Sequence, residues 1–314
     1  MTDAIPVTIE NFARAETDRM FASLSERAGG ANRWHHDREP SSVDDQRVIR
    51  QNRDTLYSLA VVDIRDGVVL TVPDAGERYL SVMVVNEDHY IDRVFHSGGT
   101  YHLTTAEFGT PWVLVASRIL VDPTDPADVA TVNELQDGLK IETASTAEFV
   151  MPDYDKESFD DVREALLTLS RHMGRFIHGF GKRSEVDPVL HLIGTANGWG
   201  GLPDEEASYA TIEPNLPVGD YEITVRDVPV DAFWSISVYN KAGFFEKNEK
   251  GIYSVNSVTA AKNEDGSTTI RFGGGEKPNT IPIMDGWNYA VRMYRPRKEI
   301  LDGTWTFPTV STTV

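Results

Sequence analysis

Short β-type segments separated by turn residues dominate the chain from Tyr57 onward. The apolar run "SLAVVDI" is followed by Arg65-Asp66-Gly67, a tight-turn signal, and then by "VVLTV". Two more β-rich runs, "YLSVMVVN" and "WVLVASRIL", come next, and others fill the last third of the chain: "YEITV", "AFWSISVYN", "IYSVNSVTA", "STTIRFGG" and "WNYAVRMY". Strands at such short spacing predict a mainly β protein built from antiparallel β-sandwiches.

Helical segments interrupt this β pattern. Residues 9–28 carry apolar side chains near helical spacing and stop at Gly29-Gly30, and residues 126–137 begin with proline at the first helical turn. A third segment predicts a long amphipathic helix near residues 158–178. Its apolar residues recur three or four positions apart: Phe159, Val162, Leu166, Leu169, Met173 and Phe176. Residues 184–215 are interpreted as a long connecting segment.

A chain of 314 residues has room for about two domains of ordinary size. The pattern predicts an N-terminal β-domain with a leading helix over residues 1–150. Residues 151–215 follow as the helix and its long connection, and residues 216–314 form a C-terminal β-domain. Strands from residues 1–215 can complete that last domain.

Composition excludes several classes of function. The net charge of −19 repels phosphate backbones and anionic lipid, so neither nucleic acid nor a membrane surface is an expected partner. The chain has no cysteine, which excludes disulfides and zinc–thiolate sites. No apolar run is long enough to cross a bilayer, and the first residues do not resemble a signal peptide. A soluble, cytoplasmic protein is the expectation.

Familiar catalytic and cofactor motifs are not found. The sequence has no Gly-x-Ser-x-Gly elbow, no phosphate-binding loop and no dinucleotide fingerprint. His96 and His102 lie six positions apart, which is the wrong spacing for two metal ligands on one strand. We therefore predict no metal site, and the sequence requires no cofactor.

Several segments resemble a widespread bacterial family of two consecutive domains of unknown function. "VTIENFARAETDRMF", "IRQNRDTLYS", "VVNEDHYI" and "HLIGTANGWGGLP" are similar to its first half. "VPVDAFWSISVYN" and "GWNYAVRMYRPRKEILDGTWTFP" are similar to its second half. The resemblance implies an immunoglobulin-like N-terminal β-domain, followed by a jelly-roll-like C-terminal β-sandwich with helical insertions.

The resemblance also points to the segment "NRDTLY", which begins at Asn52 and precedes a β-type run. Asp54 could act as a general base, and Arg53 could hold a carboxylate or a phosphate. Asn52 and Tyr57 could donate hydrogen bonds to a developing oxyanion. The alternative is structural, because Asp and Thr at a strand entry, here Asp54 and Thr55, also fix turns.

Two classes of function remain open at this stage. In the first, the protein is an enzyme of hydrolase or lyase type that acts on a small polar or anionic molecule in an interdomain cleft. In the second, it is a non-catalytic β-sandwich that binds a glycan or forms an oligomer, and a homo-oligomer is expected because symmetric dimers are common. The candidate catalytic residues are Arg53, Asp54, Tyr57 and His89, and the candidate ligand-binding residues are Asn52, Thr55, Trp234, Tyr239 and Asn240.

Overall fold

A computed structural model describes residues 4–46, 49–173 and 177–312 of the chain. Within these residues the protein is mainly β, in the β-sandwich class, with a few helices, which confirms the predicted fold class. No helix among them combines the length and the apolar character that a membrane crossing requires.

The chain forms two compact units, and each is assembled from three separate segments. The first unit contains Met1–Asp37, Tyr57–Ile119 and Asn133–Asp204. The second unit contains Arg38–Leu56, Leu120–Val132 and Glu205–Val314. The domain limits expected at residues 150 and 215 stay a prediction.

The strands from the first half of the chain form two sheets. Their bounds are β1 (His35–His36), β2 (Thr55–Asp63), β3 (Val68–Val72), β4 (Leu80–Asn86), β5 (Ile91–Phe95), β6 (Gly99–Leu103), β7 (Trp112–Leu120) and β8 (Lys140–Glu142). One sheet has the order β1-β2-β7-β4-β5 and the other has the order β6-β3-β8. Every residue of β4 and of β7 is buried. Because successive side chains point to opposite faces of a strand, both faces of the larger sheet are covered at its centre.

The helices are α1 (Phe12–Ala28), α2 (Thr105–Phe108), α3 (Pro126–Asp137), α4 (Lys156–Ser170), α5 (Pro188–Gly198) and α6 (Lys298–Leu301). In the first unit, α1, α4 and α5 pack around a small apolar cluster that includes Phe12, Phe159 and Ile193. The predicted helix at residues 126–137 is confirmed, and the first predicted helix is confirmed up to its left-handed cap at Gly29.

Two expectations about helices were wrong. Helix α4 ends at Ser170 rather than near residue 178; Leu169 in its last turn faces solvent, while Met173 beyond its end still packs against the apolar cluster. The predicted position Phe176 lies outside the described residues. The supposed connection 184–215 contains α5, which Asp187 caps by accepting hydrogen bonds from two backbone N–H groups. The sequence did not predict α5 because the apolar pattern of this helix is irregular.

The second unit is a β-sandwich. Its strands are β9 (Ala207–Ile212), β10 (Tyr221–Val225), β11 (Trp234–Tyr239), β12 (Ser254–Asn256), β13 (Thr268–Phe272), β14 (Thr280–Ile281), β15 (Asn288–Tyr294) and β16 (Ser311–Thr312). They form two four-stranded sheets, with orders β14-β13-β10-β16 and β12-β11-β15-β9. Side chains from both sheets enter one core cluster. Strand β11 alternates as predicted: Trp234, Ile236 and Val238 enter that core, so its serines and Tyr239 lie on the opposite face.

Candidate functional site

The Asn52 side chain fixes the turn that leads into β2. Its Oδ1 accepts a hydrogen bond from the Asp54 N–H at 2.8 Å, which is a common use of asparagine in turns. Its Nδ2 lies 3.1 Å from Thr55 Oγ1 and 3.1 Å from the hydroxyl of Tyr294 in β15. The amide therefore joins this turn to the sandwich sheet, and Thr55 is buried beside it.

Arg292 lies on the polar face of the same sheet, in the middle of β15, and is almost fully buried. Its guanidinium donates to Ser237 Oγ at 2.9 Å and to the Tyr239 hydroxyl at 2.7 Å. It also donates to the backbone carbonyls of Arg50 (2.7 Å) and Gln51 (3.2 Å). The Tyr239 hydroxyl passes a hydrogen bond on to Gln51 O at 2.8 Å. Arg292 thus holds the segment before Asn52 against the sheet.

Asp54 provides a negative charge near this cation. Its side chain is fully buried, and Ser235 Oγ donates to Oδ2 at 2.5 Å. Oδ1 has no hydrogen-bond partner among the described residues. Burial raises the pKa of Asp54, while the Arg292 charge, the Ser235 hydrogen bond and the Arg53 charge act in the opposite direction. Burial also lowers the pKa of Arg292, but Tyr239 and other neighbours outweigh it and the net pKa is raised.

Arg53 points away from this pair. It donates to the carbonyl of Ser41, and its guanidinium lies 5.4 Å from the centre of the Tyr253 ring. Burial lowers its pKa. The buried polar groups on this face are called the Arg292 network below: Asn52, Asp54, Ser235, Ser237, Tyr239 and Arg292.

The Arg292 network is suited to holding the chain rather than to turning over a substrate. A general base must reach the proton that it removes, and Asp54 has no exposed surface. Four hydrogen bonds already occupy the guanidinium of Arg292. Arg292 is not among the predicted site residues. The signal that could have identified it is a charged residue inside the mostly apolar strand "NYAVRMY".

His89 belongs to the first unit, and both of its ring nitrogens have partners. Nε2 accepts from the Gly200 N–H at 2.9 Å, so this nitrogen carries no proton. Nδ1 lies 2.8 Å from the Thr195 hydroxyl, which itself donates to the His191 carbonyl, so Nδ1 must be the donor. Burial holds the pKa of His89 well below its ordinary value, and the charge of His191 lowers it further. The ring is therefore fixed as a neutral tautomer with no free lone pair.

The remaining predicted residues do not converge on one site. Trp234 is buried in the sandwich core. Tyr57 lies in the first unit, where the Arg118 guanidinium is 5.3 Å from its ring centre. Asn240 Oδ1 accepts hydrogen bonds from two backbone N–H groups of the turn that follows β11, each at 3.1 Å. Within the second unit the structure brings together only Asn52, Asp54, Thr55 and Tyr239 from the predicted sets, with Arg53 beside them. The interdomain cleft stays a prediction.

A cavity of about 350 Å³ opens in the second unit, and none of its lining residues belongs to the Arg292 network. It is called the polar cavity here. Hydroxyl, amide and charged side chains share its wall with short apolar ones. The lining residues are Asp122, Pro123, Thr124, Lys250, Ile252, Ser254, Val255, Asn256, Thr259, Ala260, Glu276, Lys277, Pro278, Asn279 and Thr280.

A second cavity of about 230 Å³, called the small cavity, adjoins the polar cavity. Glu276, Lys277 and Thr280 line both. Its other lining residues are Asp220, Tyr221, Arg271, Phe272 and Gly275. The only sequence signal near these cavities is the glycine run in "FGGGEKP", which lacks the strand–loop–helix context of a phosphate site.

A group of acidic side chains lies beside α1 in the first unit. Tyr154 donates to Asp18 Oδ2 at 2.7 Å, and Arg14 pairs with Asp88 at 2.7 Å. Burial raises the pKa of Asp18 to about 6, against the opposing effects of Tyr154 and Arg14. Across the described ranges, no three histidine or acidic side chains are grouped in a way that could hold a metal ion.

Comparison with known families gives two matches. Residues 31–102 match "Protein of unknown function (DUF1254)", and residues 213–298 match "Protein of unknown function (DUF1214)". The chain carries two consecutive domains of unknown function. This confirms the family resemblance seen in the sequence. The DUF1254 region contains Asn52–Tyr57 and His89, and the DUF1214 region contains Arg292 and most of both cavities.

Solved structures extend the comparison. The crystal structure of the VPA0106 protein from Vibrio parahaemolyticus aligns with a TM-score of 0.76 at 18% identity, and the alignment covers 98% of each chain. The two proteins therefore share a fold. The crystal structure of an uncharacterised protein from Burkholderia cenocepacia gives a TM-score of 0.49 at 14% identity, over 92% of this chain and 84% of that one. No curated protein matches the chain.

Proposed function

We propose that the protein is a non-catalytic binding protein whose second β-sandwich holds a small, neutral, polyhydroxylated ligand, such as a mono- or disaccharide, in the polar cavity. The observation that carries this proposal is the composition of that cavity. It combines hydroxyl and amide groups with apolar side chains in a volume of about 350 Å³. Small-molecule sites commonly have volumes of about 300–1,000 Å³.

The two kinds of lining group suit the two kinds of surface on a sugar. Thr124, Ser254 and Thr259 bring hydroxyl groups to the wall. The hydroxyls of Thr124 and Thr259 already donate to Asp122 and Asn256, so their oxygens can accept hydrogen bonds from sugar hydroxyls. Ile252 and Pro278 offer apolar surface to the C–H faces of the ring. A cavity with only one of these two kinds of group would suit a different ligand.

The charges around the cavity favour a neutral ligand over an anionic one. Lys250 and Glu276 form an ion pair at 3.1 Å, so each already has an opposite charge. The remaining charged residues in the wall are Lys277 and Asp122, again one of each sign. An anion would approach two carboxylates together with the two ammonium groups, so electrostatic complementarity offers it little gain.

The buried positions of the candidate catalytic groups support a binding role. Asp54 is enclosed, and the lone pair of His89 already accepts the Gly200 N–H. Nor do the predicted aromatic residues supply a sugar platform, because Trp234 and Tyr239 are buried. The polar cavity takes their place in this proposal.

Isothermal titration tests the proposal with glucose, galactose, mannose, maltose and cellobiose, together with glucuronic and galacturonic acid as anionic counterparts. The blocking variant is Thr259→Trp, which places a large side chain in the cavity wall. Its matched control is Val258→Trp, because Val258 is exposed and lies outside that wall. The two positions belong to the same turn, since the backbone N–H groups of Val258 and Thr259 both donate to Asn256 Oδ1 at 2.9 Å. Melting temperatures establish that both variants fold.

We expect at least one neutral sugar to bind the wild type and Val258→Trp, with about a tenfold loss of affinity or more in Thr259→Trp. Binding of the uronic acids alone would overturn the neutral ligand class. No heat with any sugar, or equal binding by both variants, would overturn the site. Release of p-nitrophenol from p-nitrophenyl glycosides of the same sugars would instead support the enzyme hypothesis.

A further inference from the structure

The small cavity differs from the polar cavity in its chemistry. Tyr221 and Phe272 lie in its wall, together with the carbon chains of Arg271 and Lys277. The Tyr221 hydroxyl already donates to the Pro217 carbonyl at 2.9 Å, so its polar atom is occupied. What the small cavity offers a ligand is therefore largely apolar surface.

Its size is that of one ring. A cavity of about 150 Å³ lined by apolar side chains can hold benzene. The small cavity has about 230 Å³, which is enough for a six-membered aromatic ring with one substituent. A disaccharide would need more room and more hydrogen-bonding groups.

Arg271 offers a ligand its carbon chain rather than a hydrogen bond. Its Nε–H has no acceptor among the described residues, but this atom is buried and does not open onto the cavity, and its Nη1 already donates to the Pro278 carbonyl at 3.1 Å. An aromatic ring therefore suits this wall better than a polar group does.

The two cavities adjoin, since they share Glu276, Lys277 and Thr280. Resting on the proposed function above, we infer that the ligand is a glycoside. Its sugar occupies the polar cavity, and its short aromatic aglycone occupies the small cavity beside the shared residues. The small cavity is then a specificity subsite that separates glycosides with an aryl group from free sugars.

Two glycines provide a matched pair of variants for the test. A side chain added at Gly275, in the wall of the small cavity, or at Gly274, outside that wall, meets no atom within 4 Å. Neither glycine has a positive φ that a side chain would strain. Gly275→Leu therefore adds a large apolar side chain to the wall of the small cavity, and Gly274→Leu adds the same side chain next to that wall.

The experiment is titration of the full chain with methyl and phenyl glycosides of each sugar that binds. We expect the phenyl glycoside to bind wild type and Gly274→Leu about tenfold more tightly than the methyl glycoside, because a phenyl ring buries more apolar surface. In Gly275→Leu this preference disappears, while the affinity for the methyl glycoside is unchanged.

Equal affinities of methyl and phenyl glycosides in the wild type would overturn the aglycone subsite and leave the sugar site standing. Equal weakening of both glycosides in Gly275→Leu would overturn it as well, since the substitution would then act on the polar cavity. Failure of every sugar and glycoside to bind would refute the proposed function itself.

Discussion

The buried charges of the Arg292 network predict that Asp54→Asn destabilises the second unit instead of leaving its stability unchanged. Asn has nearly the same shape as Asp and can still accept the hydrogen bond from Ser235. What the substitution removes is the negative charge that lies near a buried guanidinium. Removing one partner of a direct buried ion pair costs about 3–5 kcal/mol, and Asp54 acts on Arg292 through its charge without a direct salt bridge between them. Because Arg292 keeps four neutral acceptors, we expect a smaller loss of about 2–3 kcal/mol.

The companion substitution is Arg292→Met, which removes the guanidinium and the four hydrogen bonds that it donates, although the Gln51 carbonyl keeps the Tyr239 hydroxyl as a donor. We expect it to cost about 3–5 kcal/mol. The double variant should cost less than the sum of the single variants by about 1–3 kcal/mol, because Asp54 and Arg292 interact. Urea unfolding followed by tryptophan fluorescence gives all of these free energies.

This double-mutant cycle tests whether the Asp54 carboxylate stabilises the fold by balancing the charge of Arg292. If Asp54→Asn leaves the free energy of unfolding unchanged, the carboxylate does not balance Arg292. Additive single and double variants would lead to the same conclusion. Either result would return Asp54 to the list of candidate catalytic residues.

Two further variants, both in the first unit, have opposite effects on the pH dependence of stability. Folding raises the pKa of Asp18 to about 6, so the folded protein binds this proton more tightly than the unfolded chain does. The free energy of unfolding therefore falls as the pH rises from about 4 to about 6, by about 1–3 kcal/mol after allowance for solvent screening. Asp18→Asn keeps an acceptor for Tyr154, and we expect it to abolish this fall and to unfold at a higher urea concentration than wild type at pH 8. An unchanged dependence of stability on pH would show that Asp18 is not the group that causes it. The folded protein lowers the pKa of His89, so this residue contributes stability above about pH 6.5 that is lost on acidification. His89→Gln should lose about 1–3 kcal/mol of stability at pH 8, because the hydrogen bond from the Gly200 N–H is broken. Its free energy of unfolding should then fall less than that of wild type on acidification. An equally steep fall in the variant would show that His89 is not the group responsible.

Regular local patterns explain what could be predicted from the sequence. The period-2 alternation in β11 places Trp234 and Ile236 correctly in the core, because one face of that strand meets the opposite sheet. The helix at 126–137 has Pro126 at its first position, and its start was predicted from that signal. Helix α5 was missed because glycine and histidine interrupt its apolar pattern, although Asp187 caps it.

Contacts between distant parts of the chain explain what could not be predicted. The hydrogen-bonding capacity of Asn52–Thr55 is visible in the sequence, but the residue that gives it meaning, Arg292, lies far along the chain with no local sign of the pairing. The polar cavity likewise combines residues near Asp122 with residues near Lys277. The burial of Asp54 could not be predicted either, because the burial of a side chain depends on every segment that packs around it.

The division of each unit into three segments also determines the order in which the protein can be completed on the ribosome. All segments of the first unit have been synthesised once Asp204 is made. The second unit needs Arg38–Leu56 and strand β15, which is made after every segment of the first unit, so the earlier segment waits without Arg292 until then. For the same reason, a fragment that begins at Glu205 would carry the guanidinium of Arg292 without the Arg50 and Gln51 carbonyls or the Asp54 carboxylate. The β-sandwich of the second unit therefore needs segments that precede and interrupt the first unit as well as those that follow it.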